Sequence, residues 1–355
     1  MKGLILSGGK GVRLRPITFT QAKQLVPVAN KPVLFYGLEA IVAAGITDIG
    51  IVVGDTKKEI KKAVGDGSSF GAKVTYIEQP EPLGLAHAVL VAEQFLGKEP
   101  FVMYLGDNII KGGITGLIRE FERDKPNSQI LLAEVKHPEQ FGVAELKDGR
   151  VVRLEEKPKK PKSNLALVGV YMFDDYVFEA AKNIKPSWRN ELEITDAIQY
   201  LIDQGYEVKP HIVRGWWKDT GKLEDLIEAN RMMIEELEPV AEGEVLSSHL
   251  EGKVAVGKKS RIARSVIRGP VVIGDGCEIV DSFIGPFTSI HHRVRIEKSE
   301  VENSIILEGS SIIGIKARID GSLIGKYVKI TRRDKRPKSM KFMLGDNSEV
   351  GLTED

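Results

Sequence analysis

The chain has 355 residues, more than one core ordinarily organises, so two domains are expected. Its 42% hydrophobic and 28% charged content excludes a disordered chain, and a formal net charge of +1 gives no basis for a nucleic-acid or membrane partner. A single cysteine, Cys277, excludes an internal disulfide and a cysteine-based zinc cluster.

The first strand-like run is KGLILS, and the glycine-rich turn LSGGKGVRLRP follows it. DIGIVVG, KVTYIEQ and PFVMYLGDN are further short apolar runs ending in polar residues or glycine, which read as buried parallel strands. Helical patterns lie between them. KPVLFYGLEAIVAAG has Pro32 near its start and Gly45 after its end, TKKEIKKAVGDG is short and polar-faced, and PLGLAHAVLVAEQFLG closes at Gly97. Such alternation predicts a doubly wound α/β sheet, with ligands at the carboxyl ends of its strands. Beyond residue 140, FGVAELKDGRVVRLEEKP reads as a hairpin turning at Asp148-Gly149, and ALVGVYMF as another strand. Two helices are expected next, TDAIQYLIDQG and TGKLEDLIEANRMMIEELEP, the second capped by Thr220 and stopped at Pro239.

The predicted domains are 1–238 for the catalytic part, 239–252 for a polar linker, and 253–355 for a β-helix with a basic tail. The β-helix rests on a period of 17. Ile262, Ile279, Ile296, Ile313 and Ile330 share one register. Val256, Ile273, Ile290, Leu307 and Ile324 share a second, and Leu250, Ile267, Ile284 and Val301 a third. Three apolar anchors per repeat suit a coil with three short sides whose turns stack. RRDKRPKSMKF is a basic segment expected at the surface, and LGDNSEV is expected to return as a last strand. No run approaches the roughly 20 apolar residues of a membrane span. The apolar run of MKGLILSGG is too short for a signal peptide, so the cytoplasm is the expected address.

The opening loop is tested against its rivals. Lys10 is followed by Gly11, so the lysine-Ser/Thr pair of a P-loop is missing. Leu14 stands where a dinucleotide fingerprint needs its third glycine, and no acidic residue precedes Glu39. A glycine turn followed by Arg13 and Arg15 remains, suited to phosphate. Lys23, in TQAKQLVPVANKP, is a second candidate cation for phosphate. LGDN puts Asp107 at the end of a buried run, where a carboxylate needs a partner such as magnesium, and GWWKDTG supplies a second carboxylate in Asp219. VVRLEEKP contributes Glu156 and Lys157, and SWRNELEITD adds Arg189 and Glu191.

Together, GGKGVRLRP, KQLVPVANKP, EQPEPLGLAHA, LGDN, FGV, LEEKP, ELEITD and KDTG, in that order, resemble the sugar-1-phosphate nucleotidyltransferases in their long form. The resemblance implies a Rossmann-like nucleotide-diphospho-sugar transferase fold, a doubly wound mixed sheet, followed by a C-terminal left-handed parallel β-helix. It implies transfer of a nucleotidyl group from dTTP or UTP to glucose 1-phosphate, with Mg²⁺ as cofactor; the flat faces of the β-helix suit subunit contacts, so a homo-oligomer is expected. By the same resemblance Arg13 and Lys23 would be catalytic. Leu6, Gly8, Gly9, Gly11 and Asp107 would hold the nucleotide, and Gln79 and Gly84 its base. Gly142, Glu156, Lys157, Val168, Arg189, Glu191 and Trp217 would form the sugar-phosphate site, and Asp107 with Asp219 would bind the metal. Ser7 and Val12 depart from the usual alanine and threonine of the loop. A uridylyltransferase, a catalytically silent regulatory subunit and a bifunctional enzyme with an acyl-transferring β-helix are the competing readings. No acyl-transfer motif is visible, and His291 and His292 read as structural.

Overall fold

The computed structural model describes residues 1–213, 215–332 and 340–352. The chain forms two compact units. The first comprises 1–10, 21–25 and 33–219, and the second comprises 11–20, 26–32 and 220–355.

The first unit is built on a nine-stranded mixed sheet. Its strands are β1 (Lys2–Ser7), β2 (Asp48–Val53), β3 (Lys73–Glu78), β4 (Phe101–Leu105), β5 (Ser128–Glu134), β6 (Gly142–Lys147), β7 (Arg150–Glu156), β8 (Leu165–Phe173) and β9 (Val208–Ile212). The main path runs β7-β6-β8-β4-β1-β2-β3, with β5 pairing both β8 and β9. The four strands β4, β1, β2 and β3 are mutually parallel, as the Rossmann-like alternation requires. The strand β3, expected to be buried, is instead half-buried because it lies at the edge of the sheet; the continuous apolar runs of β1, β2 and β4 have a direct cause. In β1, Leu4 and Leu6 enter one core while Ile5 enters the other, so both faces of the sheet are covered.

Helices α1 (Val33–Ala43), α2 (Lys57–Val64), α3 (Leu85–Val91), α4 (Glu93–Leu96), α5 (Thr115–Asp124), α6 (Tyr176–Asn183) and α7 (Ile194–Asp203) complete this unit. The β6–β7 hairpin turns at Asp148 and Gly149, both with positive φ, as expected of a two-residue hairpin loop. Four elements were not anticipated: α5, β5, α6 and β9.

In the second unit, helix α8 spans Leu223–Ile234. Its N-cap is Lys222, in extended conformation, and not Thr220, which is buried two residues earlier. Glu224 and Asp225 in its first turn complement the helix dipole instead. The helix also ends before Pro239, at Ile234.

The rest of the unit winds through three parallel sheets of six, six and four strands, visited in rotation, which makes a parallel β-helix. The stretch expected as a linker holds its first coil: Val240–Ala241, Glu244–Leu246 and His249–Glu251 each pair with a strand of the next turn. Isoleucines and valines stack in columns such as Ile262, Ile279 and Ile296. The fixed period then breaks. Ile290 pairs with Ile306 and Ile296 with Ile312, so these steps are one residue short. The next pairs, Ile306 with Ile324 and Ile312 with Ile330, are one residue long. The expected anchors Leu307 and Ile313 are therefore corrected to Ile306 and Ile312. Leu307 is buried outside that column, and Ile313 is only half-buried.

The corners are held by serines. The Ser248 hydroxyl accepts the Ser265 N–H, Ser265 accepts that of Ser282, and Ser282 that of Ser299. The LGDNSEV segment forms no strand. It lacks the β-branched spacing of the coil. Of the basic segment, residues 333–339 lie outside the described residues.

Candidate active site

The carboxyl ends of β1, β2 and β4 supply the first cluster. Gly8 and Gly9 follow β1, and Gln79 follows β3, donating its backbone N–H to Val53 O at 2.9 Å. The Gln79 amide lies against the loop after β1: a Cβ on Gly8 would sit 3.1 Å from its Oε1. Its Nε2 donates to Gly84 O at 3.2 Å and lies 3.0 Å from His87 Nδ1. Gly84 has φ 105°, and a Cβ there would sit 2.4 Å from Leu192 O, so only glycine lets the two backbones meet. Leu192 N donates to Leu83 O at 2.7 Å, which ties the ELEITD segment to the loop before α3.

Lys23 and Asp107 form a largely buried ion pair. Gly9 lies against this lysine, since a Cβ on it would be 3.3 Å from Lys23 Cε. Burial pushes the Asp107 carboxyl upward, but the Lys23 charge and hydrogen bonds from Lys23 and Asn108 outweigh it and hold the group below its ordinary value. Asn108 Nδ2 donates to Asp107 Oδ1 at 3.1 Å, and Trp217 Nε1 donates to Asn108 Oδ1 at 2.6 Å. Asn108–Ile110 and Trp217–Asp219 form a two-stranded antiparallel ribbon in which Asp219 is the partner of Asn108. A second acidic residue thus stands opposite the neighbour of Asp107. Leu6 is buried at the end of β1, and Val168 is fully buried on β8 among the core residues.

The second cluster lies where β7 ends. Glu156 pairs across the hairpin with Gly142, and a Cβ on Gly142 would collide with Thr195 Cγ2 at 2.6 Å. Thr195 Oγ1 donates to Glu156 Oε2 at 3.4 Å, while Arg189 Nη1 and Lys157 Nζ lie 3.6 and 3.8 Å from Glu156 Oε1. Arg189 also pairs with Glu191 at 3.0 Å and with Glu193 at 3.4 Å. Burial and the neighbouring Glu193 charge raise the Glu156 carboxyl, against the opposing pull of Lys157, Arg189 and Thr195. Phe141 packs edge-on to Trp217 at 5.5 Å between centroids.

Most of the expected residues therefore fall into these two clusters of the first unit. Gly11 and Arg13 fall in the second unit instead. There Gly11, with φ 63°, precedes a short 3-10 turn at Val12–Leu14, on which Leu14 is buried and Arg13 exposed. Asn108, Glu193 and Thr195 were missed as individuals, although each stands inside a quoted motif. Their signal was position beside a candidate, and their partners are distant in sequence.

Two carboxylates at the first cluster suit a small hard cation that takes its remaining oxygens from phosphate. No group of three or more His, Cys, Asp or Glu residues suited to a metal occurs among the described residues.

The sequence pattern of the Nucleotidyl transferase family matches residues 2–236. Over 357 residues the chain is 58% identical to a glucose-1-phosphate thymidylyltransferase of Streptomyces antibioticus, covering 99% of each. A protein of the same name from Streptomyces griseus is 54% identical, over 99% of this chain and all of that one. The solved structure of a putative glucose-1-phosphate thymidylyltransferase from Bacillus anthracis superposes with a TM-score of 0.63 at 37% identity, over 68% of this chain and 98% of that one.

Proposed function

Because the chain belongs to the nucleotidyl transferase family, we propose that it catalyses the glucose-1-phosphate thymidylyltransferase reaction. A dTMP unit passes from dTTP to glucose 1-phosphate, giving dTDP-glucose and pyrophosphate. The observation that carries this reading is the 58% identity in an alignment that covers 99% of both chains.

In this reading an oxygen of the sugar phosphate attacks the α-phosphorus of dTTP, and the bond to pyrophosphate breaks in line with it. The attacking oxygen is ionised at neutral pH, so no general base is required. The obstacle is repulsion between two polyanions. Lys23 and Arg13 offset it and stabilise the charge gathering on pyrophosphate. Leu6, Gly8, Gly9 and Gly11 line the nucleotide, with Gln79 and Gly84 at its base. Lys157 and Arg189 take the sugar phosphate, and holding it beside the nucleotide supplies a proximity contribution. Gly142, Glu156, Val168, Glu191 and Trp217 shape the sugar pocket around them. Asp107 and Asp219 would hold a divalent cation, Mg²⁺ in our reading, which when bound neutralises phosphate charge.

Residues 1–238 carry this chemistry, 239–252 lead out of it, and 253–355 serve assembly into a homo-oligomer. The resemblance to the long-form sugar-1-phosphate nucleotidyltransferases implies a left-handed winding of the coil. No described helix is long and apolar enough to cross a membrane, and our reading places the enzyme in the cytoplasm. The test is pyrophosphate release with glucose 1-phosphate against dTTP, UTP, ATP, CTP and GTP. Release fastest with dTTP is expected. Preference for UTP would convert the reading to a uridylyltransferase, and silence with all five would overturn it in favour of a regulatory subunit.

A further inference from the structure

The segment VPVANKP has no role in the reaction as described above. It forms a hairpin of Pro27–Val28 against Lys31–Pro32, with Ala29 and Asn30 at the tip. Both tip residues have positive φ, 47° and 62°. Asparagine tolerates that conformation, but alanine does so poorly, and such a turn persists where its surroundings over-determine it.

The surroundings here are specific. Asn230 on α8 is 1% exposed. Its Oδ1 accepts the Ala29 N–H at 2.9 Å and the Ser289 hydroxyl, and its Nδ2 donates to Phe287 O at 2.9 Å. Asn30 Nδ2 in turn donates to Ile290 O at 2.8 Å. Asparagine is a weak former of helix interiors, so these bonds, and not propensity, account for it in α8. Hairpin, α8 and the coil strand Thr288–Ile290 all belong to the second unit. The hairpin follows directly in sequence on the Lys23–Leu25 turn.

We propose that Asn230 is a positioning residue. By fixing the 26–32 hairpin to the coil, it anchors the chain at the end of the turn that carries Lys23, so the β-helix supports turnover as well as assembly. The inference rests on the proposed function only for the role of Lys23.

The test is Asn230→Ala in the full-length chain, read by hydrogen exchange and by steady-state transfer. Exchange over 26–32 rises sharply while the coil over 254–284 keeps its protection. kcat falls about tenfold, a size consistent with a slightly misplaced catalytic group. KM for glucose 1-phosphate holds, because the bonds that the substitution removes go to Ala29, Phe287 and Ser289 and to no residue of the Glu156–Arg189 cluster. Asn30→Ala removes only the bond to Ile290 and shifts both readouts in the same direction by less; it decides the matter if Asn230→Ala fails to fold. Unchanged exchange over 26–32, or raised exchange with full kcat, overturns the proposal, as does a parallel loss of protection throughout the coil. Wild-type protein that releases no pyrophosphate would count against the reaction, while the exchange measurement would still decide the clamp.

Discussion

One corner of the coil repeats a buried serine from turn to turn. Ser248, Ser265, Ser282 and Ser299 each accept an amide from the following turn, and Ser265, Ser282 and Ser299 are nearly inaccessible. In the α/β unit, Lys23, Asp107 and Glu156 are largely withdrawn from water, and Arg189 partly, in two separate clusters. The two regions solve the same problem, a polar group away from solvent, for different ends. A neutral hydroxyl that donates to one carbonyl and accepts one amide is inexpensive and can be repeated. A buried ion pair is costly, and removing one partner leaves a stranded charge.

Breaking the α/β side of this comparison should produce the largest effect. Asp107→Asn is expected to lower turnover by about 10²-fold or more while the circular dichroism spectrum stays native. Wild-type-like pyrophosphate release by that variant would remove Asp107 from the chemistry. On the coil side, Ser265→Ala strands the Ser282 N–H and is expected to cost about 1–3 kcal/mol in urea unfolding. Transfer rate per folded molecule should be unchanged. A fall in rate with no change in stability would reverse the division of labour drawn here.

A pH experiment sharpens the contrast further. The raised carboxyl of Glu156 keeps its proton longer in the folded chain than in the unfolded one. Stability contributed at this site therefore falls as pH rises from the ordinary carboxylate value, about 4.3, through the higher folded value. Below that window the group is protonated in both states, and the full stability is present because no buried charge has to be formed. Glu156→Gln should accordingly raise the melting temperature at neutral pH, with the difference closing in acid. An equal gain at all pH values would show that packing, not charge, is responsible. The smallest effect is expected from Arg264→Ala. It removes the exposed bidentate pair with Asp281, at 2.6 and 2.9 Å, and solvent screens such a pair strongly. Its melting curve should nearly overlay that of the wild type.

Much of the fold was legible because burial on both faces leaves a plain mark. β1, β2 and β4 are near-continuous apolar runs, and α1 carries its own punctuation. β9 is not legible for the opposite reason: VKPHI contains a proline, and its residues are half-buried or exposed. α5 buries only Leu117, Ile118 and Phe121 amid charged neighbours, so its pattern is thin. The site residues were recognisable by type and motif, and their partnerships were not. Lys23 and Asp107 are 84 residues apart in sequence. Glu193 reads as one more acid in ELEITD until it is found buried against Arg189 and Ser187.

The sequence by itself determined the alternation of strands and helices, the 17-residue period, and which charged residue types stand at strand ends. These follow from local spacing, because a face that must avoid water repeats its apolar residues at the period of the element. Only the tertiary structure decided which of two adjacent apolar residues faces the coil interior. Ile306 and Leu307, or Ile312 and Ile313, are equivalent to any local pattern, and the amide ladder to the neighbouring turn selects between them. The same holds for the pairing of Lys23 with Asp107 and the docking of Ala29 on Asn230. Each depends on chain segments that meet only once the sheet and the coil have formed.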